Sequence, residues 1–246
     1  PNISSNQQTI KKSFSLDGIG LHSGKKVMIT IEPAKVNNGI KFIRTDLIKD
    51  NIVAAIWSNV SSTNLCTTIS NDKGVSVSTI EHLMSALSGL HIDNLTIYIN
   101  ASEVPIMDGS SKPFVDLIEN VGIQVQNKKR KVLNVKKVIE VKSNQSSAKI
   151  IPNNQFSIDF EIDFPSQLVS KQSCQLQLIN GNYKSDIAAA RTFGFEKDVE
   201  YLRANGLALG GSLDNAVVVG ENEILNKDGL RYTDEFVRHK ILDSIG

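Results

Sequence analysis

Alternating hydrophobic and polar positions predict a series of strands along the chain. Residues 26–32 (KVMITIE) and 95–99 (LTIYI) combine β-branched side chains with a period of two. Residues 156–164 (FSIDFEIDF) keep a strict alternation over the whole segment. Further strands are predicted over residues 132–141 (VLNVKKVIEV), 147–152 (SAKIIP), 215–220 (NAVVVG) and 223–225 (EIL).

Apolar residues at helical spacing predict helices at four places. Residues 113–123 begin with a proline, which favours the first turn of a helix, and residues 195–206 end at a glycine, which favours a helix stop. Residues 79–91 (TIEHLMSALSGLH) form the third predicted helix. The fourth closes the chain and starts at Thr233 or Asp234, with acidic residues in its first turn.

The order of these elements predicts an α+β fold with sheets packed against helices on one face. Each half of the chain holds several strands and at least one helix, and short turns join them. Such turns are predicted at residues 18–24, 107–113 and Asp228-Gly229. The basic stretch 126–131 (QNKKRK) is interpreted as a linker, because charges without aromatic neighbours usually face solvent.

The composition narrows the class of protein. The 246 residues suffice for one large domain or two small ones, and a net charge of +1 favours neither nucleic acid nor an anionic membrane as a partner. The chain contains no apolar run of the ~18 residues that a membrane span requires. Cys66 and Cys174 match no metal or redox spacing and are interpreted as free thiols. These features predict a cytoplasmic protein.

Glu81 and His82 lie at the start of the helix predicted over residues 79–91. Ser78 and Glu81 fit a capping box, in which both residues would only terminate the helix. At about 100° per residue, Glu81 and His82 point away from the apolar stripe of this helix, toward Ser85 and Gly89. The pattern therefore allows either an exposed pair or a pair that faces a polar cleft.

His239 and Asp243 lie four residues apart on the final predicted helix and are therefore neighbours on one face. A solvent-exposed histidine–aspartate pair would explain this spacing. So would a metal site, because His82, His239 and Asp243 together supply the three protein ligands that a catalytic zinc takes. Glu81 diverges too far from His82 to bind the same ion and could instead act as a general base on water. His22 and His91 are rival ligands, although hydrogen bonding in a loop or in the core explains each of them.

Long motifs along the chain resemble those of one enzyme family. GIGLHSG, STIEHLMSALSGLHIDN, EVPIMDGSSKPF, ARTFGFEKDVEYLRANGLALGGSLDNAVVV and LRYTDEFVRHKILDSIG occur in this order. The chain closely resembles the zinc-dependent UDP-3-O-acyl-N-acetylglucosamine deacetylases of lipid A synthesis over essentially its whole length. The resemblance implies a hydrolase that removes the N-acetyl group from an acylated UDP-sugar and releases acetate, the committed step of lipid A biosynthesis.

The family implies two similar α+β domains with the active site between them. The corresponding division of this chain is residues 1–127, with His82 and Glu81, and residues 128–246, with His239 and Asp243. A small insert in the second domain, around GLALGGSLDNAVVV, would form an apolar passage for the acyl chain and would include Leu207 and Ala208. Core packing explains the same apolar residues.

The resemblance also assigns roles to individual residues. His82, His239 and Asp243 would bind one catalytic zinc ion, with Glu81 as the base, and Thr192 would donate a hydrogen bond to the oxyanion. Phe193 and Lys240 would contact the sugar and phosphate portion of the substrate. The family continues past the last helix to a histidine that serves as general acid. That part has no counterpart before Gly246, so the general acid is unassigned and the second domain is expected to lack its C-terminal part.

Two other functions stay open at this stage. One is a different metal amidohydrolase that acts on another nucleotide sugar with the same site. The other is a binding module that holds an acylated nucleotide sugar without converting it. For the deacetylase, the expected partner is the acylated UDP-sugar substrate, without nucleic acid and without stable insertion into a membrane, and the chain is expected to be a monomer.

Overall fold

The computed structural model describes residues 4–144, 146–179 and 181–246. The first half of the chain contains, in order, β1 (Asn6–Ile10), β2 (Phe14–Ile19), β3 (Lys26–Pro33), β4 (Ile40–Arg44), β5 (Ile52–Ala54), β6 (Val60–Ser62), β7 (Thr68–Ser70), β8 (Ser76–Val77), α1 (Glu81–Gly89), β9 (Leu95–Ile99), α2 (Lys112–Val121) and β10 (Ile123–Lys129). The second half contains β11 (Ile139–Ser143), β12 (Ser146–Ile150), β13 (Ser157–Asp163), β14 (Lys171–Gln177), α3 (Tyr183–Asp186), β15 (Phe193–Phe195), α4 (Val199–Ala204), β16 (Val217–Val219) and α5 (Glu235–Ile245).

A five-stranded sheet in the order β2-β3-β9-β4-β5 forms the centre of the first half. Strand β9 runs antiparallel to β3 and parallel to β4. Leu95, Ile97 and Ile99 on this strand are fully buried, while the residues between them are only partly buried. The strands predicted over residues 26–32 and 95–99 are confirmed, because period-two alternation places one side of each strand in the core.

Helices α1 and α2 belong to the same hydrophobic core as this sheet. Helix α2 begins one residue before Pro113 and buries Phe114, Val115 and Ile118. It stops at Gly122, whose φ of 81° favours a residue without a side chain. The predicted helix over residues 113–123 is thus confirmed, with an earlier end.

The linker predicted over residues 126–131 is wrong for residues 126–129, which form the end of β10 and pair with β1. The side chain of Gln126 accepts a hydrogen bond from Asn94 (2.8 Å) and donates one to the carbonyl oxygen of Ala34 (2.8 Å). Arg130 pairs with Asp93 at 2.8 Å. Hydrogen bonds and an ion pair, rather than apolar burial, hold this segment in place. Its sequence can therefore be polar and lacks the hydrophobic alternation that predicts a strand.

In the second half, strands β13, β14 and β16 pack against α5, whereas β11 and β12 form an exposed two-stranded sheet. Strand β13 pairs with β14 and shows the alternating burial that its sequence predicts, with one side of the strand toward α5. Strand β11 begins only at Ile139, so the prediction of a strand over 132–138 is wrong. Val132 and Leu133 are 79% and 100% exposed, and no ladder reaches them among the described residues.

Three smaller predictions in this half need correction or refinement. The helix predicted over residues 195–206 is reduced to a 3-10 turn (Glu196–Asp198) and the short α4, because Phe195 belongs to β15. Strand β16 pairs in parallel with β15. The strand predicted over residues 223–225 is only a single bridge from Ile224 to Val219. The predicted turn at Asp228-Gly229 is confirmed, with a φ of 65° at the glycine.

One hydrophobic cluster joins the two halves. Tyr183, Ile187, Ile241 and Leu242 pack into the same core as Leu83, Ala86 and Leu87 of α1. Helices α1 and α5 pack directly against each other. The protein is therefore a mixed α/β structure of several sheets with few helices, consistent with the predicted α+β class. The division into two domains at residues 127 and 128 stays a prediction; strand β10 runs through that position.

We expect Gly89→Ala to destabilise the protein, although alanine is normally the better helix former by about 1 kcal/mol. A Cβ at Gly89 would lie 2.2 Å from Cδ1 of the buried Tyr183 ring. Moving that ring disturbs the packing of the two halves and should lower the free energy of unfolding by about 1–3 kcal/mol. Denaturant titration measures the effect. Ser88→Ala is the matched control, because Ser88 is exposed on the same helix. A more stable Gly89→Ala protein would contradict the contact.

Candidate metal centre

The backbone before α1 places Glu81 and His82 at the very start of the helix. Thr79 has a φ of 55°, and Ile80 occupies the N-cap position without a side-chain hydrogen bond. The predicted capping box is therefore wrong, because the helix begins at Glu81 rather than after Ser78. The Ser78 hydroxyl instead donates to the carbonyl oxygen of Ser102. Glu81 therefore does not form the capping box that the sequence pattern allowed.

Glu81 is a buried carboxylate, with 7% of the residue exposed. Its Oε2 accepts a hydrogen bond from the backbone N–H of Thr67 at 3.0 Å. Burial raises the pKa of Glu81 above its usual value, and the charge of Asp243 adds to this effect against the opposing influence of His82. A carboxylate with a raised pKa accepts a proton more readily than an exposed one, which suits a general base.

Helix α5 supplies the other two residues of the centre. Asp234 occupies the N-cap position, so the predicted start at Thr233 or Asp234 lies within two residues of the observed start at Glu235. His239 is 1% exposed, which rules out the solvent-exposed histidine–aspartate pair. Gly246 closes the helix against α1, where a Cβ would come within 2.0 Å of the carbonyl oxygen of Glu81.

His82, His239 and Asp243 converge where α1 and α5 meet. Each offers a ligand atom within 4.8 Å of those of the other two. Oδ1 of Asp243 lies 3.3 Å from Nε2 of His239 and 3.6 Å from Nε2 of His82. The two imidazole rings are nearly perpendicular, with centroids 4.9 Å apart. Residues far apart in sequence therefore form one group with two nitrogen donors and one oxygen donor.

The hydrogen bonds around His239 leave one of its nitrogens available for a ligand. Its Nδ1 lies 3.0 Å from the carbonyl oxygen of Ala190. A carbonyl can only accept, so Nδ1 is the donor and the neutral ring presents a lone pair at Nε2. Burial lowers the pKa of His239 to about 4, which keeps the ring neutral at physiological pH.

Asp243 keeps its negative charge in this group. Burial alone would raise its pKa, but the neighbouring His239 and His82 and the Lys240 ammonium hold it below the usual range. Nζ of Lys240 donates to Oδ2 of Asp243 at 3.0 Å. Oδ1 is buried and has no hydrogen-bond partner among the residues that the structure describes. A buried carboxylate oxygen that lies between two imidazole rings and has no hydrogen-bond donor is well suited to bind a cation.

Lys240 contacts Asp243 of this group, Phe193 lies next to Lys240, and Thr192 directly precedes Phe193 in the chain. The backbone N–H of Thr192 donates to the carbonyl oxygen of Gly109 at 2.7 Å, which ties the segment to the first half. Phe193 packs edge-on against Phe236 of α5, with ring centroids 4.9 Å apart. Nζ of Lys240 lies 5.5 Å from the centroid of the Phe193 ring. The structure thus places an aromatic face and a cation beside the metal group, by which we mean the three candidate ligands His82, His239 and Asp243.

Leu207 and Ala208 lie against the loop that contains His22. The backbone N–H of Ala208 donates to Nδ1 of His22 at 3.4 Å, and the N–H of Leu209 donates to the carbonyl oxygen of His22 at 3.2 Å. Leu207 and Ala208 are partly buried. His22 therefore takes part in loop hydrogen bonds between the halves.

Neither rival histidine belongs to the metal group. His91 follows α1 with a φ of 59°, and among the described residues neither His22 nor His91 lies in a cluster of three or more potential metal ligands.

Sequence reasoning missed Glu103, a buried carboxylate that organises the surroundings of the site. Its oxygens accept from the backbone N–H groups of His22 and Ser23, both at 2.8 Å, and from the hydroxyl of Thr79 at 3.1 Å. The residue joins the His22 loop to the start of α1. Buried acidic residues are rarely without partners, so the burial of Glu103 would have indicated its role. That burial cannot be predicted from the local sequence.

The fold and site define a mixed α/β protein with a candidate metal centre of two histidines and one aspartate. Residues 7–246 match the family described as LpxC: UDP-3-O-acyl N-acetylglycosamine deacetylase. The chain is 50% identical over 242 residues to the UDP-3-O-acyl-N-acetylglucosamine deacetylase of Shewanella loihica, covering 98% of this chain and 79% of that protein. It is 48% identical over 240 residues to the protein of the same name from Syntrophus aciditrophicus, covering 98% and 76%. The chain belongs to this deacetylase family.

Proposed function

We propose that this protein is a zinc-dependent hydrolase that removes the N-acetyl group from UDP-3-O-(3-hydroxyacyl)-N-acetylglucosamine. Family membership and the names of relatives at about 50% identity support the reaction and the acylated UDP-sugar. The reaction would be the committed step of lipid A biosynthesis.

One observation carries the proposal. The only ligand group found among the described residues, His82, His239 and Asp243, sits beside a buried glutamate with a raised pKa. Two nitrogen donors and one carboxylate suit zinc, and three protein ligands leave a further position open. A zinc ion there would polarise the acetyl carbonyl and lower the pKa of water.

The residues of the chain supply the proton transfers. Glu81 takes a proton from the water molecule whose oxygen forms the new bond to the acetyl carbon. The bond between that carbon and the amide nitrogen then breaks, and the nitrogen must gain a proton, because an amide anion is too basic to leave at neutral pH. Glu81 can return the proton that it took. The products are acetate and a free amine.

Other residues would bind and orient the substrate. Thr192 would donate a hydrogen bond to the oxyanion that forms at the acetyl carbon. Phe193 and Lys240 form a neighbouring apolar face and cation, which suits a sugar ring and a phosphate. Leu207 and Ala208 would line the path of the acyl chain.

No helix among the described residues is long and apolar enough to cross a bilayer. The cytoplasmic location and the monomeric state stay predictions.

A turnover assay tests the proposed function. We expect the purified protein to release one acetate and one free amine per molecule of acylated UDP-N-acetylglucosamine. A chelator should remove this activity, and added zinc should restore it, because no residue of the site replaces the Lewis acid. Nucleotide sugars that lack the 3-O-acyl group are the matched control and should react poorly.

The assay also separates the other functions. Equal rates on unrelated nucleotide sugars would indicate a different amidohydrolase. Tight binding of the substrate to the zinc-loaded protein without acetate release would indicate a binding module.

A further inference from the structure

A buried ion pair between Arg191 and Glu235 lies outside the metal group. The Glu235 side chain is fully buried and that of Arg191 is 9% exposed. Nε of Arg191 donates to Oε1 of Glu235 at 2.8 Å, and Nη2 donates to Oε2 at 3.1 Å. Backbone N–H groups of Arg191 and Arg231 add two further hydrogen bonds to the same carboxylate, at 2.9 and 2.6 Å. The carboxylate thus accepts four hydrogen bonds in one fixed orientation.

The pair joins the two segments that hold His239. Glu235 is the first residue of α5 and lies one helical turn before His239. Arg191 follows Ala190, whose carbonyl oxygen accepts the hydrogen bond from Nδ1 of His239. The contacts therefore close a ring through Glu235, α5, His239, Ala190 and Arg191. Any rotation of the 190–192 segment against α5 would stretch this ring.

Arg191 also precedes Thr192 directly. The N–H of Thr192 is bound to Gly109, and its carbonyl oxygen accepts from the N–H of Val217 at 2.8 Å. The backbone of Thr192 is therefore held on three sides, by the first half of the chain, by β16 and through Arg191 by α5. Through Arg191, the ion pair holds the backbone at Thr192 in a defined position relative to the helix that carries His239.

Stability alone is a weak reason for this pair. Burying two charges carries a large desolvation cost, and well-packed apolar residues often stabilise a protein as well or better. A bidentate arginine–carboxylate contact instead constrains direction, because both hydrogen bonds must keep their geometry together. The same carboxylate also accepts hydrogen bonds from two backbone N–H groups, which constrain its orientation further.

We propose that Arg191 and Glu235 are positioning residues, which hold the Ala190 carbonyl against His239 and keep Thr192 in register with that ligand. They do not touch the substrate. Hydrogen-bond partners of metal-bound histidines typically contribute roughly 10–100-fold to metal affinity or activity. The inference rests on the proposed function for its catalytic part, whereas its effect on metal binding can be measured independently.

The test compares an apolar replacement of the pair with the original protein. In the Arg191→Met/Glu235→Leu double variant, we expect a folded protein whose zinc affinity is roughly 10–100-fold weaker in chelator competition. The visible absorption spectrum of the cobalt-substituted protein should change, because the ligand geometry is no longer held. The kcat on the acylated substrate should fall by a similar factor. The matched control is Lys184→Met/Glu119→Leu, which removes an exposed ion pair between α3 and α2 and should leave all three quantities unchanged.

Arg191→Lys is the second variant, because lysine keeps the charge but cannot form the bidentate contact. It should show the same loss of zinc affinity to a smaller degree. Unchanged zinc affinity and an unchanged cobalt spectrum in either folded variant would overturn the proposal. If both variants fail to fold, the pair is needed for stability itself, and the proposal is again overturned. If the original protein binds zinc but does not release acetate, the proposed function fails while the metal measurements still decide the positioning role.

Discussion

Replacing His239 with alanine is expected to remove tight metal binding and to reduce deacetylation by on the order of 10³-fold or more, because Lewis-acid stabilisation is worth several kcal/mol. His239 is the most deeply buried of the three candidate ligands. Without it, only His82 and Asp243 remain in the group. Elemental analysis after removal of loosely bound metal measures the occupancy, and the assay for acetate measures the activity.

The matched control for this experiment is His91→Asn. His91 lies outside the metal group, and asparagine tolerates the left-handed backbone found at that position. This variant should keep full metal occupancy and activity. Full occupancy in the His239→Ala protein would show that the ligand set of His82, His239 and Asp243 is wrong.

Replacing Glu81 with glutamine is expected to leave the fold and the metal in place while lowering the deacetylation rate by roughly 10²–10⁴-fold. A glutamine oxygen can still accept the hydrogen bond from the N–H of Thr67, so the start of α1 should keep its position. The amide, however, cannot take a proton from water. Parallel measurements of metal content, thermal unfolding and turnover separate the two effects.

Two further observations make this prediction specific. Because burial raises the pKa of Glu81, the original enzyme should lose activity on acidification at a higher pH than an exposed glutamate would require. Below that pKa the carboxyl group is protonated and cannot serve as a base. Glu119→Gln, a change of the same type at an exposed surface site, should not alter the rate. Near-normal turnover of Glu81→Gln would limit Glu81 to a structural role.

Local pattern was sufficient wherever burial alternates along a single element. Strands β3, β9 and β13 lie where period-two alternation predicts them, and α2 lies where helical spacing and Pro113 predict it. The prediction failed over residues 132–138, where apolar side chains are present but no neighbouring strand covers them. It failed again over residues 126–129, where a polar strand is held by hydrogen bonds that no hydrophobic pattern reveals.

The candidate site was even less predictable from local sequence than the fold. Local sequence allowed Glu81 to be a cap and the His239–Asp243 pair to be exposed, and both interpretations are physically sound for an isolated helix. The structure excludes the cap because α1 begins at Glu81 itself, and it excludes the exposed pair because α5 packs against α1 and buries His239. The partners of Glu103, and Arg191 as the partner of Glu235, come from segments distant in sequence, so no spacing rule could have found them.

The sequence by itself determined the residue types of the centre, the family motifs that contain them and the helices that carry them. These depend on chemistry and on periodicity within one element, which short stretches of sequence encode. Only the tertiary structure decided that Nε2 of His82, Nε2 of His239 and Oδ1 of Asp243 converge, that Glu81 is buried beside them, and that Ala190 orients His239. The physical reason is that burial and convergence arise from the packing of distant segments, and the pKa values and ligand geometry of the site follow from that packing.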